Sequence, residues 1–326
     1  MTVSVLLPYR DAAATVRAAL ESVLAEDVVD EVVAVDDGSR DEGFSLVESV
    51  RDARIVHVRT PGVGIARALA LGLERARGEL VARMDADDVS LPGRIAAEVA
   101  LLASDDSLGV AACRVELTGA VGEGMRAFID WQNALVTPDD HARAIFVESP
   151  VCHPSVTMRR SAIEAVGAFR EAPWAEDWDL WMRLEAAGWG LAKVPRVLFA
   201  WRQHAASATR SDVKCSLERM RGARALYLAD RLRRMQRPVA VWGAGPTGTR
   251  LARELEKHGV RAARFVDIDP RKIGRTRRGA PVVGRAALDR EHTIVVAVGA
   301  RGARDLVRAD LTSRGYVEGA DFVLAA

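Results

Sequence analysis

The chain has 326 residues, 49% of them hydrophobic, with 46 Lys and Arg set against 45 Asp and Glu for a net charge of +1. That length accommodates roughly two domains, and so balanced a charge carries no electrostatic signature of a nucleic-acid partner. The three cysteines, Cys113, Cys152 and Cys215, lie far apart and form no C-x-x-C pair, which supports neither a zinc knuckle nor a disulfide framework and fits a reducing compartment.

In chain order, residues 3–7 read as a buried strand. Asp11 is placed to cap a helix whose apolar stripe is Val16, Leu20, Val23 and Leu24. Residues 31–35 and 55–58 give two more strands. Ile65, Leu69 and Leu73 mark a helix ended by Gly78, and residues 80–84 are a fourth strand. This strand–helix rhythm implies a largely parallel α/β sheet with ligands at strand C-termini. The middle is less regular, with a strand at 110–115, a helix over 139–146 and a glycine-marked loop at Gly119, Gly122 and Gly124. Another helix carries Trp178, Trp181 and Leu184. Residues 213–235 form a basic helical connector that Pro238 closes off. A second α/β unit follows, with strands at 239–242, 263–266 and 294–298 and a helix at 249–257. The expected organisation is therefore 1–212, a connector at 213–235, and a module at 236–326. No apolar run approaches the roughly 20 residues of a membrane span, and the opening strand leaves no charged n-region for a signal peptide. The expectation is a cytoplasmic protein, with peripheral attachment to the inner face of the membrane left open.

Met84-Asp85-Ala86-Asp87-Asp88 puts three carboxylates at the end of the fourth strand. In an extended segment residues two apart face the same way, so Asp85 and Asp87 can address one hard cation; the plain alternative is a solvated acidic turn. Asp36-Asp37-Gly38-Ser39 ends the second strand. It is a turn by composition, and a carboxylate there also suits the N3–H of a uracil. Glu176-Asp177 opens a helix, where acids favour the dipole, and either could be a general base for an incoming hydroxyl. Arg94 and Arg202 are candidates for a diphosphate or for internal carboxylates. Trp174, Trp178 and Trp181 offer aromatic faces to a sugar, Trp181 reading better as core.

Five stretches in order resemble the family 2 glycosyltransferases of the GT-A fold: Leu7-Pro8-Tyr9, Val35-Asp36-Asp37-Gly38-Ser39, Ala82-Arg83-Met84-Asp85-Ala86-Asp87-Asp88 with Leu91-Pro92-Gly93-Arg94, His153-Pro154-Ser155, and Ala175-Glu176-Asp177-Trp178-Asp179-Leu180-Trp181. The resemblance spans about residues 2–210. It implies an inverting, metal-dependent transferase that moves one sugar from a nucleotide-sugar, UDP-linked by expectation, to an acceptor hydroxyl. The acceptor would be a glycan, a lipid-linked sugar or a small molecule, in polysaccharide or glycoconjugate biosynthesis. It further implies a donor site of Pro8, Tyr9, Asp36, Asp37, Asp85, Arg94 and Arg202. Mn²⁺ or Mg²⁺ would sit on Asp85, Asp87, Asp88 and His204, with Asp177 as base, Glu176 beside it and His153 shaping the acceptor side. Ala70 replaces an asparagine common in relatives, and Tyr9-Arg10-Asp11 departs from the usual opening. No Q-x-x-R-W stretch is present, which argues for single-sugar transfer over polymer synthesis.

Gly243-Ala244-Gly245-Pro246-Thr247-Gly248 lies between a strand and a helix, with Asp267 ending the next strand, the context of a dinucleotide-binding turn. The module resembles the nucleotide- or nucleotide-sugar-binding Rossmann units attached to some polysaccharide-biosynthesis enzymes. A nucleotide or NAD-like ligand at Gly243, Gly245, Gly248 and Asp267 is one expectation; an empty module serving dimerisation or acceptor docking is the other. The competing function is a non-catalytic nucleotide-sugar sensor on a degenerate transferase scaffold.

Overall fold

The computed structural model describes residues 1–204, 212–300 and 302–325. By its internal contacts the chain falls into two units: Met1–His141 with Pro150–Ser211, and Ala142–Ser149 with Asp212–Ala326. The boundary expected at 212 adjoins residues 205–211, which lie outside the described residues. The second unit also takes in 142–149, a crossing that no composition shift announces.

The first unit runs β1 (Val3–Tyr9), α1 (Val16–Leu24), β2 (Glu31–Asp36), α2 (Gly43–Glu48), β3 (Ile55–Arg59), α3 (Ile65–Arg75), β4 (Leu80–Arg83), β5 (Val89–Ser90), α4 (Arg94–Ser104), β6 (Leu108–Gly119) and α5 (Glu123–Ala134). Then come α6 (Pro138–Ala144), a 3-10 turn (His153–Ser155), β7 (Val156–Arg159), α7 (Arg160–Ala165), α8 (Glu176–Ala186) and β8 (Gly190–Gln203). Among the described residues the strands form one eight-stranded sheet, ordered β3-β2-β1-β4-β7-β6-β8-β5. β1 to β4 are mutually parallel, whereas β7 runs antiparallel to both β4 and β6. The parallel strands are nearly continuous apolar runs because helices cover them, and Val5, Leu6, Leu7, Val32, Val33 and Val81 are all wholly buried.

Two local readings change. Asp11 does not cap α1: its backbone is left-handed at φ 49°, and its carboxylate accepts the Arg40 N–H at 2.7 Å, tying two loops together. Gly122 and Gly124 are not loop markers alone, since Glu123 opens α5. Its exposed polar face concealed the helical period, but Phe128 and Ile129 supply an apolar edge packed on the core.

The second unit runs α9 (Leu217–Met235), β9 (Val239–Trp242), α10 (Pro246–Lys257), β10 (Ala262–Val266), β11 (Thr276–Arg277), β12 (Ala280–Val283), β13 (Thr293–Val296), α11 (Ala303–Ser313) and β14 (Phe322–Leu324). Its sheet is ordered β11-β12-β10-β9-β13-β14, parallel except for β11. The strand order reverses between β9 and β13, where ligands gather in such sheets.

Candidate active site

β4 ends at Arg83, paired with Leu6 of β1, so Met84 to Asp88 leave the sheet at the C-terminal edge of the parallel strands. There Asp85, Asp87 and Asp88 bring ligand atoms within 4.8 Å of one another. Asp88 is almost wholly buried. One of its oxygens accepts the Arg202 N–H at 2.7 Å, while Oδ2 is buried and accepts no hydrogen bond among the described residues. Burial, then the charges of Asp85 and Asp87, push its carboxyl up to about 9. An orphaned buried oxygen beside two further carboxylates is the donor set of a hard divalent cation. Arg83, itself buried, offsets part of the charge through a 2.6 Å pair with Asp85.

Strand pairing delivers the rest. β5 runs antiparallel to β8, with Val89 opposite Ala200. That register carries the end of β8 back past the acids, and His204 Nε2 lies 2.8 Å from Asp87 Oδ2. Likewise β7 is antiparallel to β4, with Thr157 opposite Ala82, so the His153–Ser155 turn lies beside the strand end that bears the acids. His153 Nδ1 is 3.7 Å from Glu176 Oε1 at the start of α8, and its ring meets the edge of Trp181 at 5.6 Å between centroids. Burial opposes ionisation of Glu176, but the neighbouring His153 outweighs it and, with Arg83, holds the carboxyl below its usual range. Asp177 is half-buried on the same first turn, accepting the Trp178 N–H at 2.7 Å.

Several residues expected at the donor have partners within the chain. Asp37 Oδ1 accepts from Thr60 Oγ1 and the Val63 N–H, and Oδ2 from the Gly64 N–H at 2.9 Å; its role is to shape the loop at 60–64. Pro8 and Tyr9 are strand residues in register with β2, and the buried Tyr9 hydroxyl is raised well above its ordinary range by burial and Asp36. Arg94 is wholly buried. Its guanidinium donates to Ser90 Oγ at 2.7 Å and to the carbonyls of Arg83 at 3.1 Å and Pro154 at 2.9 Å. Arg94 is therefore a strap between the acid-bearing strand end and the His153 turn. Arg202 holds Asp88 through its backbone and leaves its side chain exposed.

Asp36 has no exposed surface and pairs with Arg59 Nε at 3.0 Å, while its other oxygen accepts the Ser39 N–H at 2.9 Å. Sequence reasoning missed Arg59. The signal was present: β2 and β3 are parallel and end together, with Asp36 opposite Arg59. Asp179 was also missed as a node. It is wholly buried and accepts from Arg170, Arg183 and Trp174.

In the second unit Gly243 takes φ 120°, and a Cβ on it would lie 2.3 Å from the Ala297 carbonyl oxygen. A Cβ on Gly248 would lie 1.9 Å from the Gly243 carbonyl oxygen. Only glycine lets this turn feed α10 so close to the strands. Gly245 faces open space. Asp267 is engaged already: it accepts the Ala244 and Asp269 N–H groups and pairs with Lys272 at 2.9 Å. Against its burial these partners hold its carboxyl below the usual range.

The model of the family described as glycosyl transferase family 2 matches residues 4–167, half of the chain. The amylovoran biosynthesis glycosyltransferase AmsE of Erwinia amylovora is 27% identical over 172 residues, covering 52% of this chain and 63% of that protein. The putative glycosyltransferase EpsE of Bacillus subtilis is 24% identical over 250 residues, covering 73% and 84%. An uncharacterized glycosyltransferase of Haemophilus influenzae is 27% identical, and the match covers 56% of its length; such matches thus span little more than half of some relatives. Among solved structures, S. aureus TarS 1-349 in complex with UDP-GlcNAc superposes with a TM-score of 0.58 at 17% identity, covering 79% of this chain and 72% of that one. The mannosyltransferase PcManGT from Pyrobaculum calidifontis, in complex with GDP-Man and Mn²⁺, gives 0.52 at 22% identity, covering 76% and 66%. Among the described residues no helix is long and apolar enough to cross a membrane.

Proposed function

The chain belongs to glycosyl transferase family 2, a glycosyltransferase on the GT-A fold, and from that premise we propose that it transfers one sugar with inversion from a nucleotide-sugar to an acceptor hydroxyl. The observation that carries this reading is the carboxylate cluster at the end of β4, with its orphaned Asp88 oxygen. Asp85, Asp87, Asp88 and His204 would hold Mg²⁺ or Mn²⁺. Such an ion, when bound, neutralises the charge that grows on a departing nucleoside diphosphate, a contribution of several kcal/mol.

The nucleotide is assigned to the C-terminal ends of β1 to β3. There Arg59, its guanidinium mostly exposed and anchored on the buried Asp36, offers a donor to a carbonyl of the base. The exposed Arg202 guanidinium is assigned to the diphosphate. Asp177 takes the proton of the acceptor hydroxyl as its oxygen attacks the anomeric carbon from the face opposite the leaving group, which inverts that centre. Glu176, ionised and held by His153, fixes the helix start that presents Asp177. The UDP-GlcNAc complex of TarS and the GDP-Man and Mn²⁺ complex of PcManGT support a nucleotide-sugar donor and a divalent ion. In the second unit the Gly243–Gly248 turn is assigned to a nucleotide's phosphates, with Lys272, held by Asp267, adding positive charge.

The test is turnover of UDP-, GDP- and TDP-sugars by the purified protein, with Mn²⁺ or with EDTA. UDP-sugars should be consumed only with the metal, and product NMR should show the inverted anomer. Asp87→Ala and Asp177→Asn should each lower kcat about 100-fold or more with the melting temperature preserved. Undiminished turnover in both variants would end the proposal.

A further inference from the structure

The acid-bearing loop leaves the sheet after Arg83 and rejoins it at β5, and both of its ends are held by one side chain. Arg94 Nη1 donates to the Arg83 carbonyl at 3.1 Å, just ahead of the loop, and Nε donates to Ser90 Oγ at 2.7 Å, just behind it. Nη1 also reaches the Pro154 carbonyl at 2.9 Å, inside the turn that carries His153. The guanidinium carbon lies 5.2 Å from the ring centroid of Phe199, the residue opposite Ser90 in the β5–β8 pairing. That aromatic face adds a fourth restraint. Arg94 has no exposed surface, and its Nη2 is buried without a hydrogen-bond partner among the described residues.

Removing a guanidinium from water is costly, and leaving one of its nitrogens unpaired adds to the cost. What the arrangement provides is geometry. The planar fork meets acceptors on three segments from two nitrogens, whereas a lysine has one nitrogen with which to reach them. The loop between Arg83 and Ser90 contains Asp85, Asp87 and Asp88, so fixing both ends limits how far the three carboxylates can spread. On the Pro154 side, His153 Nδ1 stands 3.7 Å from Glu176 Oε1, and Asp177 is the next residue on the first turn of α8. One buried group thus joins the acid-bearing loop to the helix start at Glu176 and Asp177.

We infer that Arg94 is a positioning residue of this site: it closes the acid-bearing loop to the aperture a divalent cation needs and sets the separation between that cation and Asp177. The inference rests on Asp85, Asp87 and Asp88 holding the ion and on Asp177 being the base, as argued above. Arg94 is neither a ligand nor a proton carrier. It acts through two backbone carbonyls and one hydroxyl, as groups outside a coordination shell orient the ligands within it.

The experiment measures Mn²⁺ binding by calorimetry in wild type, Arg94→Lys, Ser90→Ala and Leu102→Ala. Leu102 is wholly buried near the far end of α4, so its truncation destabilises the unit while leaving all three acceptors in place. Arg94→Lys should raise the Mn²⁺ Kd about tenfold. Ser90→Ala, which removes one acceptor and keeps the guanidinium, should weaken binding in the same direction by less. Leu102→Ala should lower the melting temperature and leave the Kd within about twofold of wild type. At saturating Mn²⁺, paramagnetic broadening of the Trp178 amide signal reads the separation between the ion and the start of α8. It should change in Arg94→Lys and match wild type in Leu102→Ala. An unchanged Kd or unchanged broadening in Arg94→Lys overturns the inference. So does a Leu102→Ala that loses Mn²⁺ as Arg94→Lys does, which would mark general loosening. If Arg94→Lys does not fold, an unchanged Kd in Ser90→Ala overturns it instead. A wild type that binds no Mn²⁺ fails earlier, and takes the reading of the three acids with it.

Discussion

At the scale of single residues, the first unit carries a buried layer of charge that serves geometry, not turnover. Arg94 and Arg83 are wholly or almost wholly buried, and each ties one strand end to its neighbours. Glu98, one helical turn beyond Arg94, accepts the Thr157 hydroxyl at 2.6 Å, and burial pushes its carboxyl up to about 7 against an ordinary 4.5. The sign follows directly. Between those values the unfolded chain has lost the proton that the folded chain keeps, so stability falls as pH rises through that window. Glu98→Gln should remove the decline, gaining on wild type by roughly 2–3 kcal/mol in denaturant melts between pH 5 and pH 8. Buried His141, depressed to about 4 by burial, has the opposite slope, losing stability as pH falls below its ordinary 6.5. It is common to both proteins, so the difference isolates Glu98. A constant gap across the range would refute the assignment.

At the scale of elements, α4 shows how a helix start can be satisfied from far along the chain. Its flanking residue is Gly93, which brings no side-chain cap. Instead Glu26, buried in the loop after α1, accepts the Ile95 and Ala96 N–H groups at 3.1 Å each. A carboxylate on the first-turn amides answers both the unpaired donors and the helix dipole. Glu26→Ala should cost about 1–2 kcal/mol, read as a lower urea midpoint at unchanged m-value. Because α4 begins with Arg94, the variant should also loosen the strap to the acid-bearing strand end. Raised hydrogen exchange confined to α4 and residues 84–88 would be the mark of that coupling, and protection equal to wild type would rule it out.

At the scale of the whole chain, the division into units does not follow sequence order. The segment Ala142–Ser149 belongs with the C-terminal unit. Within that unit the Val147 carbonyl accepts from Arg224 at 2.6 Å, and the Arg231 guanidinium lies 5.7 Å from the Phe146 ring centroid. Glu148 is driven above its ordinary range by burial despite the charge of Arg224. A chain ended at residue 211 would strip these partners away, leaving the apolar run 145–147 and a charge without its arginine. Such a truncation should bind ANS and self-associate during gel filtration. A monomeric truncation with an unchanged melt would show that the segment needs no partner.

The sequence by itself determined the strands at 3–7, 31–35 and 80–84 and their parallel α/β arrangement, the acidic strand end, the family and the glycine turn after β9. These are local signals: apolar runs, turn residues and motif spacing report on neighbours along the chain. Which carboxylates remain available was decided by tertiary structure alone. Asp37, Asp179 and Asp88 look alike as letters, yet one is consumed by loop 60–64, one by two arginines, and one keeps an oxygen without a partner. That difference arises because strands distant in sequence end side by side, and a buried charge is fixed by whatever partners the packing places within reach.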